Sequence, residues 1–155
     1  QDLLERILKK DPGFFEALVI KLLVAMGYGG SLNEAAGMVV GKSGDEGIDG
    51  IIKEDKLGLD NIYIQAKRWN NVVERPEVQK FVGALAGTGA TKGIFITTSS
   101  FSRGAREFKP QNNIKIVLID GNQLCEYMID YNIGVFTANT FEVKRIDIDF
   151  FESEE

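Results

Sequence analysis

Asp49, Gln65 and Lys67 are the side chains whose types and spacing could do chemistry together. They sit in Gly44-Asp45-Glu46-Gly47-Ile48-Asp49-Gly50 and in Gln65-Ala66-Lys67. Gln65 and Lys67 lie two apart, so on a strand they point to one face. If the stretch bearing Asp49 pairs with that strand through a turn near Gly58, an acid, a second oxygen donor and an ammonium converge. Phosphodiester hydrolysis calls for such a set, because nonbridging charge must be neutralised, a water deprotonated and the leaving oxygen stabilised. Asp49 can hold a hard divalent cation such as Mg²⁺, which prefers oxygen ligands and keeps waters. The main-chain carbonyl of Ala66 can add a further oxygen. Lys67 can polarise the attacking water or stabilise transition-state charge, and the metal would bring Lewis acidity. Spacing alone leaves a plainer reading open: Asp-Gly and Glu-Gly pairs are common in turns, and a strand Lys is usually solvated.

The elements that must position these residues are legible nearby. Asn61 to Lys67 alternates Ile62, Ile64 and Ala66 with Tyr63, Gln65 and Lys67, the pattern of a half-buried strand. Gly47 to Lys53 reads as its partner, with Glu54 to Gly58 as the turn. Asp11-Pro12 opens a helix whose Phe15, Leu18, Val19, Leu22, Leu23 and Met26 recur at helical spacing. A shorter amphipathic segment, Leu3 to Lys10, precedes it. Pro76 starts another helix with Val78, Phe81, Val82 and Leu85 inward. Gly93 to Thr97 and Ile114 to Ile119 read as buried strands. Ser102 to Phe108 is a short helix between them, and Asp120 caps a helix through Asp130. Thr140 to Ile148 alternates and reads as a final edge strand. The order α-β-β-α-β-α-β-α predicts an α/β sandwich, its central mixed sheet antiparallel first, parallel later and flanked by helices.

Composition narrows the chemistry further. The 155 residues hold one cysteine and no histidine. Histidine-based triads, histidine general bases, zinc sites built on cysteine or histidine, and internal disulfides are therefore excluded. Net charge is −5, yet residues 41–109 carry eleven Lys and Arg against nine Asp and Glu, while residues 141–155 carry two against six. The acidity is concentrated in the tail, and the middle of the chain permits a polyanionic partner. No apolar run approaches the ~18 residues of a membrane span, which predicts a cytoplasmic protein without a membrane partner. A length of 155 residues predicts a single domain, 1–155 with a core of about 11–150, and a first residue other than Met predicts that it is excised from a longer chain.

Taken in order, GDEGIDGII, IYIQAKRW, PEVQKFVGAL and KGIFITTSSFS resemble the catalytic domain of Mrr-type restriction endonucleases, within the PD-(D/E)xK nuclease superfamily. The likeness runs from about Asp11 to about Phe150. It implies a restriction-endonuclease-like fold and Mg²⁺-dependent cleavage of double-stranded DNA, with Mn²⁺ substituting and modified DNA as the target. By resemblance Asp49 matches the motif's Asp, Gln65 its Asp/Glu position and Lys67 its Lys. Gln65 departs from the superfamily's usual acid, so the resemblance calls for another carboxylate. Glu16 fits as catalytic residue and metal ligand, being an acid beside Val19, Ile20 and Leu23 on a helix of the kind that carries a Glu in the superfamily; a plain helix-edge acid is the alternative. Asp45 is a second candidate, with a loop cap as its alternative.

Four residues are candidate DNA contacts. Arg68 follows Lys67 in a Lys-Arg-Trp-Asn ridge that could meet phosphate. Gln79 lies on the helix after the lysine strand, where related nucleases place a supporting or DNA-touching glutamine. Ser99 and Arg103 stand where loops at strand ends bind ligands. Solvation for Gln79 and simple helix capping for the hydroxyls remain open. The resemblance also implies a winged-helix recognition domain elsewhere in the full-length chain, and a homodimer or higher assembly on DNA, because one site cuts one strand. Two other functions stay in view: a non-catalytic DNA-binding or assembly module that kept the fold, and a repair or junction-resolving nuclease.

Overall fold

The computed structural model describes residues 2–30, 38, 39 and 48–152. Asp45 and the Gly44–Gly47 approach lie outside the described residues. Helix α1 spans Asp2–Leu8 and α2 spans Pro12–Ala25. Asp11 caps α2 by accepting the Phe14 N–H at 2.9 Å, and Pro12 opens the first turn, where its missing N–H costs nothing. The chain then turns at Gly27 and Gly29, both at positive φ, toward the sheet. Strands β1 (Met38–Val39), β2 (Gly50–Lys53) and β3 (Asn61–Lys67) follow, then α3 (Arg75–Thr88) and β4 (Lys92–Thr97). Helix α4 (Arg103–Glu107), β5 (Lys115–Ile119), α5 (Gly121–Asp130) and α6 (Ile148–Glu152) complete the order.

The five strands lie in the order β1-β2-β3-β4-β5. The pairs β1·β2 and β2·β3 are antiparallel, and β3·β4 and β4·β5 parallel; the sequence predicts this antiparallel-then-parallel order from β2 onward, and β1 is an additional strand. The β2–β3 turn is held by Asp55, whose carboxylate accepts the N–H groups of Leu57 and Gly58 at 2.7 and 2.8 Å, while Gly58 supplies the positive φ. Lys92, at the start of β4, ties this turn down through ion pairs with Glu54 and, at 2.9 Å, Asp60.

Alternation along β3 divides the core into two layers. Ile62 and Ile64 join Ile52, Ile94 and Ile96 beneath Phe15, Val19, Leu22 and Leu23 of α2 and Leu124 and Met128 of α5. The other face receives Val78, Phe81 and Leu85 of α3 against Phe95 and Phe101. Phe95 meets Phe81 and Phe101 edge to face at 5.5 and 5.4 Å. Gly93 allows α3 to sit close, since a β-carbon there would lie 2.7 Å from both Phe81 and Leu85.

The predicted edge strand at Thr140–Ile148 is not formed, and the last element is the short helix α6. The alternation breaks at Lys144-Arg145, which puts Phe141 and Val143 on one side and Ile146 and Ile148 on the other. A single strand would present no continuous apolar face. Among the described residues no helix is long and apolar enough to cross a membrane.

Candidate active site

The site lies where the β2–β3 ladder ends. Gly50 pairs with Ile64, and the Asp49 N–H, one residue before the paired end, donates to the Ile64 carbonyl at 2.7 Å. Asp49 thus lies just before the paired end of β2, within reach of Gln65 and Ala66. One carboxylate oxygen of Asp49, Oδ2, accepts both the Gln65 Nε2–H and the Ala66 backbone N–H, each at 2.7 Å. Gln65 is only 3% exposed, so its amide needs such a partner. The other Asp49 oxygen takes no part in either bond. Lys67, half-buried, lays its ammonium over the Trp69 ring, 5.3 Å from the centroid.

Glu16 reaches the same place from α2. Burial pushes its carboxyl above the ordinary 4.5, the Asp49 charge pushes it further, and Lys67 pulls it back. Two acids and one cation therefore share this field. A hard divalent cation fits that donor set. Asp49 and Glu16 bring charge that repels when left uncompensated, while the Gln65 amide and main-chain carbonyls bring neutral oxygens. Among the described residues no three of His, Cys, Asp and Glu cluster, so the shell would rest on two carboxylates, neutral oxygens and water.

The segment beyond Lys67 is fastened to the end of β4. Thr97 Oγ1 donates to the Lys67 carbonyl at 2.8 Å, Thr98 Oγ1 to that of Trp69 at 2.8 Å, and Ser99 Oγ to that of Asn70 at 3.3 Å. The Val73 N–H continues this to the Ser100 carbonyl at 2.8 Å. Ser99, predicted as a phosphate contact, is thus engaged with Asn70. Arg68 turns away from the strand and donates from its guanidinium to the Leu8 carbonyl at 2.8 Å, at the negative end of α1. Arg103 pairs with Glu107 at 2.7 Å on the solvent side of α4, and Gln79 is exposed on α3. Neither has a described contact with the Asp49–Lys67 group. Sequence reasoning missed the bracing role of Thr97 and Thr98. Both are buried polar residues in a β-branched run, and that was the available signal.

A mixed sheet whose antiparallel hairpin brings an Asp carboxylate onto the first residues of Gln-x-Lys, with helices on both faces, defines a restriction-endonuclease-like fold. Solved structures agree. The DNA modification-dependent restriction endonuclease AspBHI superposes with a TM-score of 0.65 at 17% identity, over 86% of this chain and 35% of that one. The MspJI restriction endonuclease, solved in complex with a 27-mer oligonucleotide, gives 0.64 at 26% identity, over 86% and 32%. Residues 7–128 match the family model of the restriction endonuclease Mrr catalytic domain. The chain is 46% identical over 151 residues to the type IV methyl-directed restriction enzyme EcoKMrr of Escherichia coli (strain K12), across 97% of this chain and 48% of that protein. It spans about half the length of that relative. The chain belongs to the Mrr-type restriction endonuclease family and forms its endonuclease catalytic domain. Such enzymes act on DNA and generally use divalent metal ions.

Proposed function

We propose that this domain hydrolyses phosphodiester bonds of double-stranded DNA in a Mg²⁺-dependent reaction, with Mn²⁺ able to substitute. Its target is modified DNA, the substrate class that the names of EcoKMrr and AspBHI give for those enzymes. The observation that carries this reading is the convergence of Asp49, Gln65 and Lys67 on one strand end, with Glu16 in the same field.

Asp49, Glu16 and Gln65 would hold the cation, which would supply Lewis acidity and make a nearby water easier to deprotonate. Gln65 and the Ala66 N–H fix the Asp49 carboxylate in one orientation through their shared bond to Oδ2. Lys67 neutralises charge that develops on the phosphoryl oxygens as water attacks. The face of Trp69 steadies that ammonium without neutralising it. Gln79 and Arg103, both exposed, reach for the DNA backbone, while Ser99 and Arg68 hold the strand end that presents Lys67. Target choice belongs to a winged-helix domain in the longer protein. Two catalytic domains, brought together on DNA, cut the two strands.

Nicking of supercoiled plasmid, methylated and unmethylated, tests the assignment with Mg²⁺ or Mn²⁺. The parent chain nicks, and Asp49→Asn and Lys67→Ala each lose activity by about a hundredfold or more. The Asn variant keeps an acceptor for the Ala66 N–H, so its loss reports chemistry rather than unfolding. Equal nicking by all three proteins would sink the site. If the parent is silent, the parent and the same two substitutions are compared in the full-length protein, where a silent parent would favour a binding or assembly role.

A further inference from the structure

Between α1, α2 and α5 lies an apolar cavity of about 180 Å³. Leu3, Ile7, Leu18 and Met128 line it, with Arg6 and Lys10 at its rim. Apolar cavities of about 150 Å³ accept a benzene ring, so this one has room for one phenylalanine side chain. Lys9 joins Arg6 and Lys10 around an adjoining polar recess, where Asp2 lies 3.5 Å from Arg6.

Gly134 also lines the cavity, and there the chain leaves the body. Every residue from 136 to 152 is exposed, although this stretch includes Phe141, Val143, Ile146, Ile148 and Phe151. So long a run of large apolar side chains in water marks an interaction segment. Phe151 is 73% exposed, and its ring meets Phe150 edge to face at 5.2 Å. Residues 141–155 carry six acids against two basic residues. The tail is apolar and acidic; the groove is apolar with a basic rim.

We propose that Ile148–Glu152 of one copy docks into this groove on a second copy. Phe151 fills the cavity, and Asp149 and Glu152 face Arg6, Lys9 and Lys10. A second copy is the source because the groove begins at the root of the tail itself. The stretch from Gly134 to Ile148 extends up to about 45 Å and stays exposed from residue 136 onward, as an arm exchanged between copies does. A two-fold axis makes the exchange reciprocal and closes the assembly as a dimer. The contact rests on no step of the cleavage chemistry, so its failure would leave the nuclease reading standing.

Sedimentation velocity of the 155-residue chain over a dilution series, without DNA or metal, tests it. The expected result is a monomer–dimer equilibrium. Phe151→Ala weakens it about a hundredfold, about tenfold at each of two symmetric contacts. Because Phe151 lies in solvent in the monomer, its thermal unfolding stays unchanged. Lys10→Glu also weakens the dimer, and Glu152→Lys in the same chain recovers it. A dimer indifferent to Phe151→Ala and to Lys10→Glu overturns the proposal. So does a monomeric parent, whether hydrogen exchange finds the tail on its own groove or in solvent.

Discussion

Asp49 concentrates two hydrogen bonds on a single oxygen, and the Gln65 amide that makes one of them is almost fully buried. Glu16 enters this field at a cost, because burial and the Asp49 charge both disfavour its ionised form. A carboxyl whose folded pKa lies above its ordinary 4.5 weakens the fold as pH rises through that interval. Glu16→Gln is therefore expected to raise the melting temperature at neutral pH, with the gain fading as pH falls below the ordinary carboxyl value. In the same variant cleavage is expected to fall, and the stabilisation expected of the parent on adding Mg²⁺ should be lost. A variant no more stable than the parent at neutral pH would mean that Glu16 bears no such repulsion. Asp49, Gln65 and Lys67 were legible in the sequence because strand alternation alone puts the last two on one face. The bonds of Arg68 and Ser99, offered in the sequence as DNA contacts, could not be read there, since their partners, the carbonyls of Leu8 and Asn70, belong to other segments. Local spacing carries no trace of such distant acceptors.

Among the elements, α5 has the most fully specified start. Asp120 accepts the N–H groups of Asn122 and Gln123 at 3.1 and 3.0 Å, and the Gln123 side chain returns a bond to the Asp120 N–H. Arg106 of α4 adds an ion pair at 2.7 Å. Burial acts to raise the Asp120 carboxyl pKa, but these N–H groups and the guanidinium prevail and hold it below 3.8. Its contribution is complete above the ordinary value and is lost as pH falls through the lowered one. Asp120→Ala should cost about 1–2 kcal/mol in urea unfolding at neutral pH, and less in acid. A cost unchanged by pH would refute the charged cap. The helices and central strands could be read from caps and periodicity, whereas β1, two residues long, offers too little pattern to recognise. The false strand at Thr140–Ile148 shows the limit of period two: alternation identifies a segment able to pair, but not an edge for it to pair with.

On the scale of the molecule, the two helical layers are joined through the strand ends that carry the site. Gly121, the first residue of α5, sits so close to Thr98 that a β-carbon would lie 2.4 Å from its carbonyl oxygen, and its N–H donates to the Ser99 carbonyl at 2.8 Å. Thr97, Thr98 and Ser99 in turn hold the segment after Lys67. Gly121→Ala should destabilise the fold by about 1–3 kcal/mol. It should also slow cleavage at temperatures where the variant remains folded, by shifting Lys67; full activity there would separate α5 from the site. The layered architecture was readable from element order, but this close approach was not, since glycine beside an Asp cap reads equally well as an ordinary helix start. The chain holds a single tryptophan, Trp69, and it is the ring beneath the Lys67 ammonium. All tryptophan emission from the molecule therefore originates beside Lys67, making the unlabelled protein its own fluorescent gauge of changes around that ammonium.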